Sequence, residues 1–95
     1  MTGFGTEVSF RLGPGTLEEA RAIARRLAAA AAGCRRHVLF VEEAAGEYGC
    51  LAEWDSREDA EEFTRRPTTA EALVLLGSRL GKEPRIRVYA MEETA

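Results

Sequence analysis

The sequence predicts an α+β fold in which one four-stranded antiparallel sheet carries helices on one side. Three observations predict it. Four segments alternate apolar and polar residues or read as short β-rich runs. Two longer segments between them repeat apolar residues at helical spacing behind a cap signal. Gly and Pro punctuate the joints. The resulting order is strand, helix, strand, strand, helix in two pieces, strand, which is the split βαβ, ferredoxin-like arrangement.

The Gly-rich start, "MTGFG", is expected to fray, leaving an ordered core of about 6–92 within a single domain of residues 1–95. "TEVSFRL" then alternates: Val8, Phe10 and Leu12 share one face, while Glu7, Ser9 and Arg11 share the other. "GPG" ends this strand. Thr16 and Glu19 have capping-box spacing and open a helix. Its apolar stripe is Leu17, Ala20, Ala24, Leu27, Ala28 and Ala31, and Gly33 closes it. "HVLFVEE" and "YGCLAEW" form a hairpin around "AAGE". Centring that turn near Ala45 sets Cys50 roughly opposite Phe40. Ser56 caps the next helix, with Asp59 three residues on and Ala60 and Phe63 facing in. Pro67 breaks it. Thr68 and Glu71 repeat the capping-box spacing ahead of a helix with Leu73, Val74, Leu76 and Leu80, stopped by Gly81. Pro84 leads into the last strand, "RIRVYAME".

Composition narrows the partners. The chain is 45% apolar and 31% charged with net charge −3, and its acids and bases are interspersed. That is a globular composition without the basic stripe of a nucleic-acid binder. The run Leu27 to Ala32 falls far short of the ~18 residues of a membrane span, and no basic segment precedes an apolar core near the start. The expected location is cytoplasmic. Cys34 and Cys50 lie roughly 20 Å apart in the predicted hairpin, beyond disulfide reach, and are expected as free thiols. One His and two separated Cys do not make a zinc site of usual spacing, and "GPG" lacks the Lys of a phosphate loop. The paired acids Glu18-Glu19, Glu58-Asp59 and Glu61-Glu62 read as helix-dipole complements and solvated surface.

A sheet covered on one face should be polar on the other. Here Val38, Leu39, Phe40 and Val41 are apolar on both faces, Leu51 opposes the Tyr48–Trp54 set, and Tyr89 and Met91 oppose Ile86, Val88 and Ala90. Two helical segments cover only one face. The other calls for a second copy, sheet against sheet, so a homodimer is expected.

"YGCLAEWDSREDAEEFTRRP", followed by a short helix and "PRIRVYAMEE", resembles the antibiotic biosynthesis monooxygenase-like family of dimeric α+β barrels. "EVSFRLGPGTLEEARAIARRLAAAA" looks like that family's first strand and helix. The resemblance runs from about Val8 to Glu92, and its best local signature is Glu53-Trp54 followed by Ser56 and an acidic helix start. It implies a pocket between sheet and helices lined by Phe10, Phe40, Trp54, Phe63, Leu73, Leu76 and Tyr89, with His37 beside it. It also implies oxygenation of an aromatic or quinol-like molecule without a cofactor. The alternative is a non-catalytic module of the same fold holding a small apolar ligand. The haem-degrading branch uses an Asn, a Trp and a His. This chain has no Asn, and the other two positions fall at Phe63 and near Leu73.

Cofactor-free oxygenation asks the protein to exclude water, position the ring and remove a proton. His37, the single His, has the ordinary pKa of a base, so it is the expected catalytic residue. Tyr48 or Tyr89 can hydrogen-bond a phenolate, and the Trp54 indole N–H can orient a carbonyl. Each also has an ordinary reading: His37 as a strand-surface residue, Trp54 as core, Tyr89 as interface.

Overall fold

The computed structural model describes residues 2–95. The element order is β1 (Thr2–Arg11), α1 (Leu17–Ala30), β2 (Arg36–Glu42), β3 (Glu47–Trp54), α2 (Arg57–Thr64), α3 (Pro67–Leu80) and β4 (Ile86–Glu92). The strands form one antiparallel sheet ordered β2-β3-β1-β4. The fold is therefore the predicted ferredoxin-like one. It measures 36 × 34 × 19 Å. A thickness of 19 Å fits one sheet and one helical layer at about 10 Å each, so the far side of the sheet has no cover.

β1 starts earlier than the composition suggests. Phe4 pairs with Trp54 on β3 and with Ala90 on β4, so the Gly-rich segment is a central strand bonded on both sides. A Cβ on Gly5 would stand 3.0 Å from both the Leu51 Cδ1 and the Met91 Sδ. Glycine is there to admit those side chains.

Small residues bring α1 close to the sheet: Ala20, Ala24, Leu27 and Ala30 are its buried positions. Its N-cap differs from the prediction. The Thr16 side chain makes no cap hydrogen bond. It donates instead to the Gly13 carbonyl at 2.6 Å, and its oxygen lies 2.9 Å from the Tyr48 hydroxyl. With the Thr16 proton already used, Tyr48 is the donor. The cap residue thus ties the loop to β3 rather than satisfying its own helix.

Ser56 behaves as predicted, accepting from the Asp59 N–H at 3.0 Å. Pro67 is more than a breaker. It is the first residue of α3, with Arg66 as N-cap, where its missing N–H is harmless and its fixed φ suits the helix. The predicted Thr68–Glu71 box is displaced inside the helix. Gly81 closes α3 at φ +73, a left-handed cap that glycine adopts without strain.

The hairpin turn spans Glu43 to Gly46, and Glu42 pairs with Glu47. Cys50 therefore faces Leu39, and Phe40 faces Gly49. This is one residue off the predicted pairing. Because side chains alternate, that slip turns Phe40 to the uncovered face, where it is 51% exposed. Gly46 sets the register: its φ is +67, and a Cβ there would overlap the Gly13 carbonyl carbon and oxygen. Its own carbonyl accepts from the Leu12 N–H at 2.9 Å, docking the turn on the end of β1.

Candidate functional site

The side chains predicted to line a pocket divide between the two sheet faces. Phe10, Trp54, Phe63 and Leu76 lie between sheet and helices and are buried, with Leu73 half-buried beside them. They fill that space. The Phe10 and Tyr48 rings stand 5.5 Å apart, and the Trp54 and Phe63 rings 5.2 Å apart. The Trp54 indole N–H donates to the Thr6 hydroxyl at 3.0 Å, so it is not free to orient a ligand. Arg66 seals this end. Its guanidinium lies 5.4 Å from the Trp54 ring, donates to the Ala30 and Ala32 carbonyls at 2.9 and 2.8 Å, and pairs with Glu62. Two orphan carbonyls at the end of α1 are thereby satisfied. The one buried side-chain oxygen without a partner among the described residues is the Thr69 hydroxyl, at the start of α3.

Phe40 and Tyr89 stand on the uncovered face. The register collects Gly5, Glu7, Ser9 and Arg11 from β1 there, with Val38 and Phe40 from β2. β3 adds Gly49 and Leu51, and β4 adds Arg87, Tyr89 and Met91. The Tyr89 hydroxyl donates to Glu7 Oε1 at 3.0 Å, and the Arg87 guanidinium stands 5.3 Å from the Tyr89 ring. Loss of hydration, and then the Glu7 carboxylate beside it, push the Tyr89 phenol above its ordinary value, so it remains a proton donor at neutral pH. A shallow groove of about 620 Å³ runs beside this pair, between Glu7 and Arg11 on one side and Phe40 and Glu42 on the other. Gly49 is its floor. A Cβ there would touch Phe40 Cδ2 at 3.5 Å and Glu7 Oε2 at 3.8 Å. The groove thus places a carboxylate and an aromatic ring around bare backbone, with a phenol adjoining. Its volume suits a small ligand.

Glu7, Arg11 and Gly49 were not read from the sequence as site residues. Polar residues alternating along β1 look like a solvated face. Only Gly49 within an otherwise packed strand hinted at a close approach.

His37 lies elsewhere. It pairs with Ala52 on the helix-facing side of the edge strand β2 and is half-buried. It lines neither the groove nor any other cleft described here. Burial lowers its pKa from 6.5, so the folded chain holds it neutral. The sign of the consequence follows. The unfolded chain takes up the proton near pH 6.5, whereas the folded chain resists until the pH is lower. Stability from this group is therefore whole above about pH 6.5 and is lost as pH falls through the depressed folded value. The urea midpoint should drop more between pH 8 and pH 5 in the wild type than in His37→Gln. Equal slopes would mean that His37 is hydrated in the fold.

Cys34 and Cys50 are free. Burial pushes the Cys50 thiol to about 12 and raises that of Cys34, so neither is a ready nucleophile. Among the described residues, no helix is long and apolar enough to cross a membrane.

These features define a ferredoxin-like α+β domain with one face of its sheet unclosed. A family model for antibiotic biosynthesis monooxygenases matches residues 5–73, and the chain belongs to that family. Solved structures share the fold. A conserved protein from Methanosarcina mazei superposes with TM-score 0.71 at 20% identity, covering 94% of this chain and 92% of that one. Rv0793 from Mycobacterium tuberculosis gives 0.71 at 21%, covering 98% and 99%. A protein of Caulobacter crescentus, provisionally described as an antibiotic biosynthesis monooxygenase, gives 0.70 at 19%, covering 96% and 91%. No curated protein matches the chain.

Proposed function

We propose that the chain works as a homodimer, uncovered sheet face against uncovered sheet face, and oxidises an aromatic or quinol-like molecule without a cofactor. Family membership supports the reaction class. The observation that carries the reading is the groove over Gly49, which has a floor and two walls and lies open on the uncovered face, where a second copy would supply the roof. For an anthrone-type substrate, the ring methylene loses a proton to a protein base. The carbanion reacts with oxygen, one oxygen atom stays as the new ring carbonyl and the other leaves as water. Substrate and oxygen balance without a further reductant. Of the three carboxylates that line the groove, Glu7, Glu42 and Glu47, we assign the base to Glu7, which the Tyr89 hydroxyl holds over the sheet face. His37 could serve only a ligand on the opposite side of the sheet.

The filled helix–sheet interior favours a second reading, in which the same dimer holds a small apolar ligand and does not turn it over. Oxygen uptake by metal-stripped protein, presented with anthrones and hydroquinones, separates the two. Uptake that needs folded protein, falls in Glu7→Gln and persists in His37→Ala establishes the groove as the site. Uptake that falls only in His37→Ala moves the chemistry to the helix side. Absence of uptake, with a ligand still bound, selects the second reading.

A further inference from the structure

A second cleft of about 590 Å³, adjoining the groove over Gly49 and sharing Ser9, Phe10 and Arg11 with it, opens where the end of β1 meets the loop between α3 and β4. Four of its lining residues are cations: Arg11, Lys82, Arg85 and Arg87. One is an acid, Glu83. The local excess is therefore three positive charges (four less one) on a chain whose net charge is −3. The rest of the wall includes apolar side chains of Phe10, Leu80 and Pro84.

None of the four cations of this cleft is neutralised by a carboxylate among the described residues, and only Arg87 has another contact, its guanidinium lying 5.3 Å from the Tyr89 ring. Arg21, Arg36, Arg66 and Arg79 each have a carboxylate within ion-pair distance. Arg11, Lys82, Arg85 and Arg87 have no such partner among the described residues. Two acids lie opposite them in register and still make no pair. Glu47 faces Arg11 across β1 and β3, and Glu7 faces Arg87 but accepts from Tyr89 instead. The loop that supplies Lys82 and Arg85 is held against α3, because Gly77 leaves room for it. A Cβ on Gly77 would meet Pro84 Cδ at 3.2 Å and the Lys82 carbonyl oxygen at 3.3 Å. The packed loop thus keeps Lys82 and Arg85 at the mouth of the cleft with Arg11 and Arg87, a local positive excess that favours an anion over a neutral ligand.

We propose that this cleft binds a small molecule with an acidic group and an apolar body, the acid among Arg11, Lys82, Arg85 and Arg87 and the body against Leu80 and Pro84. The cleft shares Arg11 with the groove, but the proposal does not rest on the oxygenase reading, since neither Glu7 nor Tyr89 lines the cleft and Lys82 and Arg85, the cations substituted in the test, line no part of the groove. Calorimetric titration with 1-naphthoate, 1-naphthamide and inorganic phosphate tests it. The naphthoate should bind to the wild type, weaken at least tenfold between 20 mM and 300 mM salt, and weaken at least fivefold in each of Arg85→Gln and Lys82→Gln. Arg25→Gln, on the exposed side of α1, should bind as the wild type does. Circular dichroism confirms that each variant is folded. Naphthamide binding equally well, no binding of naphthoate, or equal weakening in Arg25→Gln would each overturn the proposal. Phosphate binding as tightly as naphthoate would overturn the apolar half of it.

Discussion

Trp54→Ala should cost the fold about 4–8 kcal/mol and leave it close to unfolding at room temperature. Replacing a buried Phe or Trp with Ala typically costs about 3–5 kcal/mol through lost burial and the cavity left behind. Trp54 is 2% exposed, with its ring against Phe63 and beneath the Arg66 guanidinium. The substitution also strands the Thr6 hydroxyl, itself 2% exposed, which now accepts the indole N–H. A buried polar group left unpaired adds about 1–3 kcal/mol. Domains of this size have only about 5–15 kcal/mol in total. Trp54→Phe keeps most of the packing and loses the hydrogen bond, so it should cost about 1–3 kcal/mol. Urea denaturation followed by circular dichroism measures both. A loss below about 2 kcal/mol for the alanine variant would show that the helix–sheet interior has room around the ring, and would return Trp54 to the role of pocket wall.

That experiment bears on how far the site could be read from the sequence. The alternation of Tyr48, Cys50, Ala52 and Trp54 places all four on one face, and all four are buried. Their common face was legible because period-two patterning is local. Whether that face lines a pocket or fills one depends on how near α1 and α3 approach. Alanine at Ala20, Ala24 and Ala30 lets α1 settle closely, an outcome that the amphipathic stripe alone does not specify. Phe40 illustrates a different limit. "HVLFVEE" is apolar on both faces, so its pattern does not fix which face is inward. The hairpin register decides, and that rests on Gly46 fitting against Gly13, a contact between residues far apart in sequence. Thr16 failed as a capping-box residue for a similar reason. Its hydroxyl had a better acceptor in the Gly13 carbonyl, and its oxygen a donor in Tyr48. The apolar excess of the sheet, by contrast, was legible without register: with one helical layer, some apolar residues had to face outward whichever way each strand turned.

Phe40→Asp should therefore break the proposed homodimer while leaving the protomer folded. The ring is 51% exposed in one copy and stands over Gly49 on the uncovered face, so the protomer loses little packing. In a face-to-face dimer the two-fold axis repeats every change, and two carboxylates would be withdrawn from water with no added cation to meet them. An unpaired buried charge costs several kcal/mol, and each 1.4 kcal/mol is tenfold in affinity, so the dissociation constant should rise by about 100-fold or more. Sedimentation equilibrium should give twice 10.4 kDa for the wild type and 10.4 kDa for the variant. Val74→Asp is the control, because Val74 is 68% exposed on α3, on the other side of the sheet, and its substitution should leave the mass unchanged. A wild type at 10.4 kDa across micromolar concentrations, or a Phe40→Asp variant that stays paired, would remove the roof from the groove over Gly49. If the dimer dissociates as expected, any oxygen uptake should fall with it and return as protein concentration rises. A site complete within one protomer would show no such dependence.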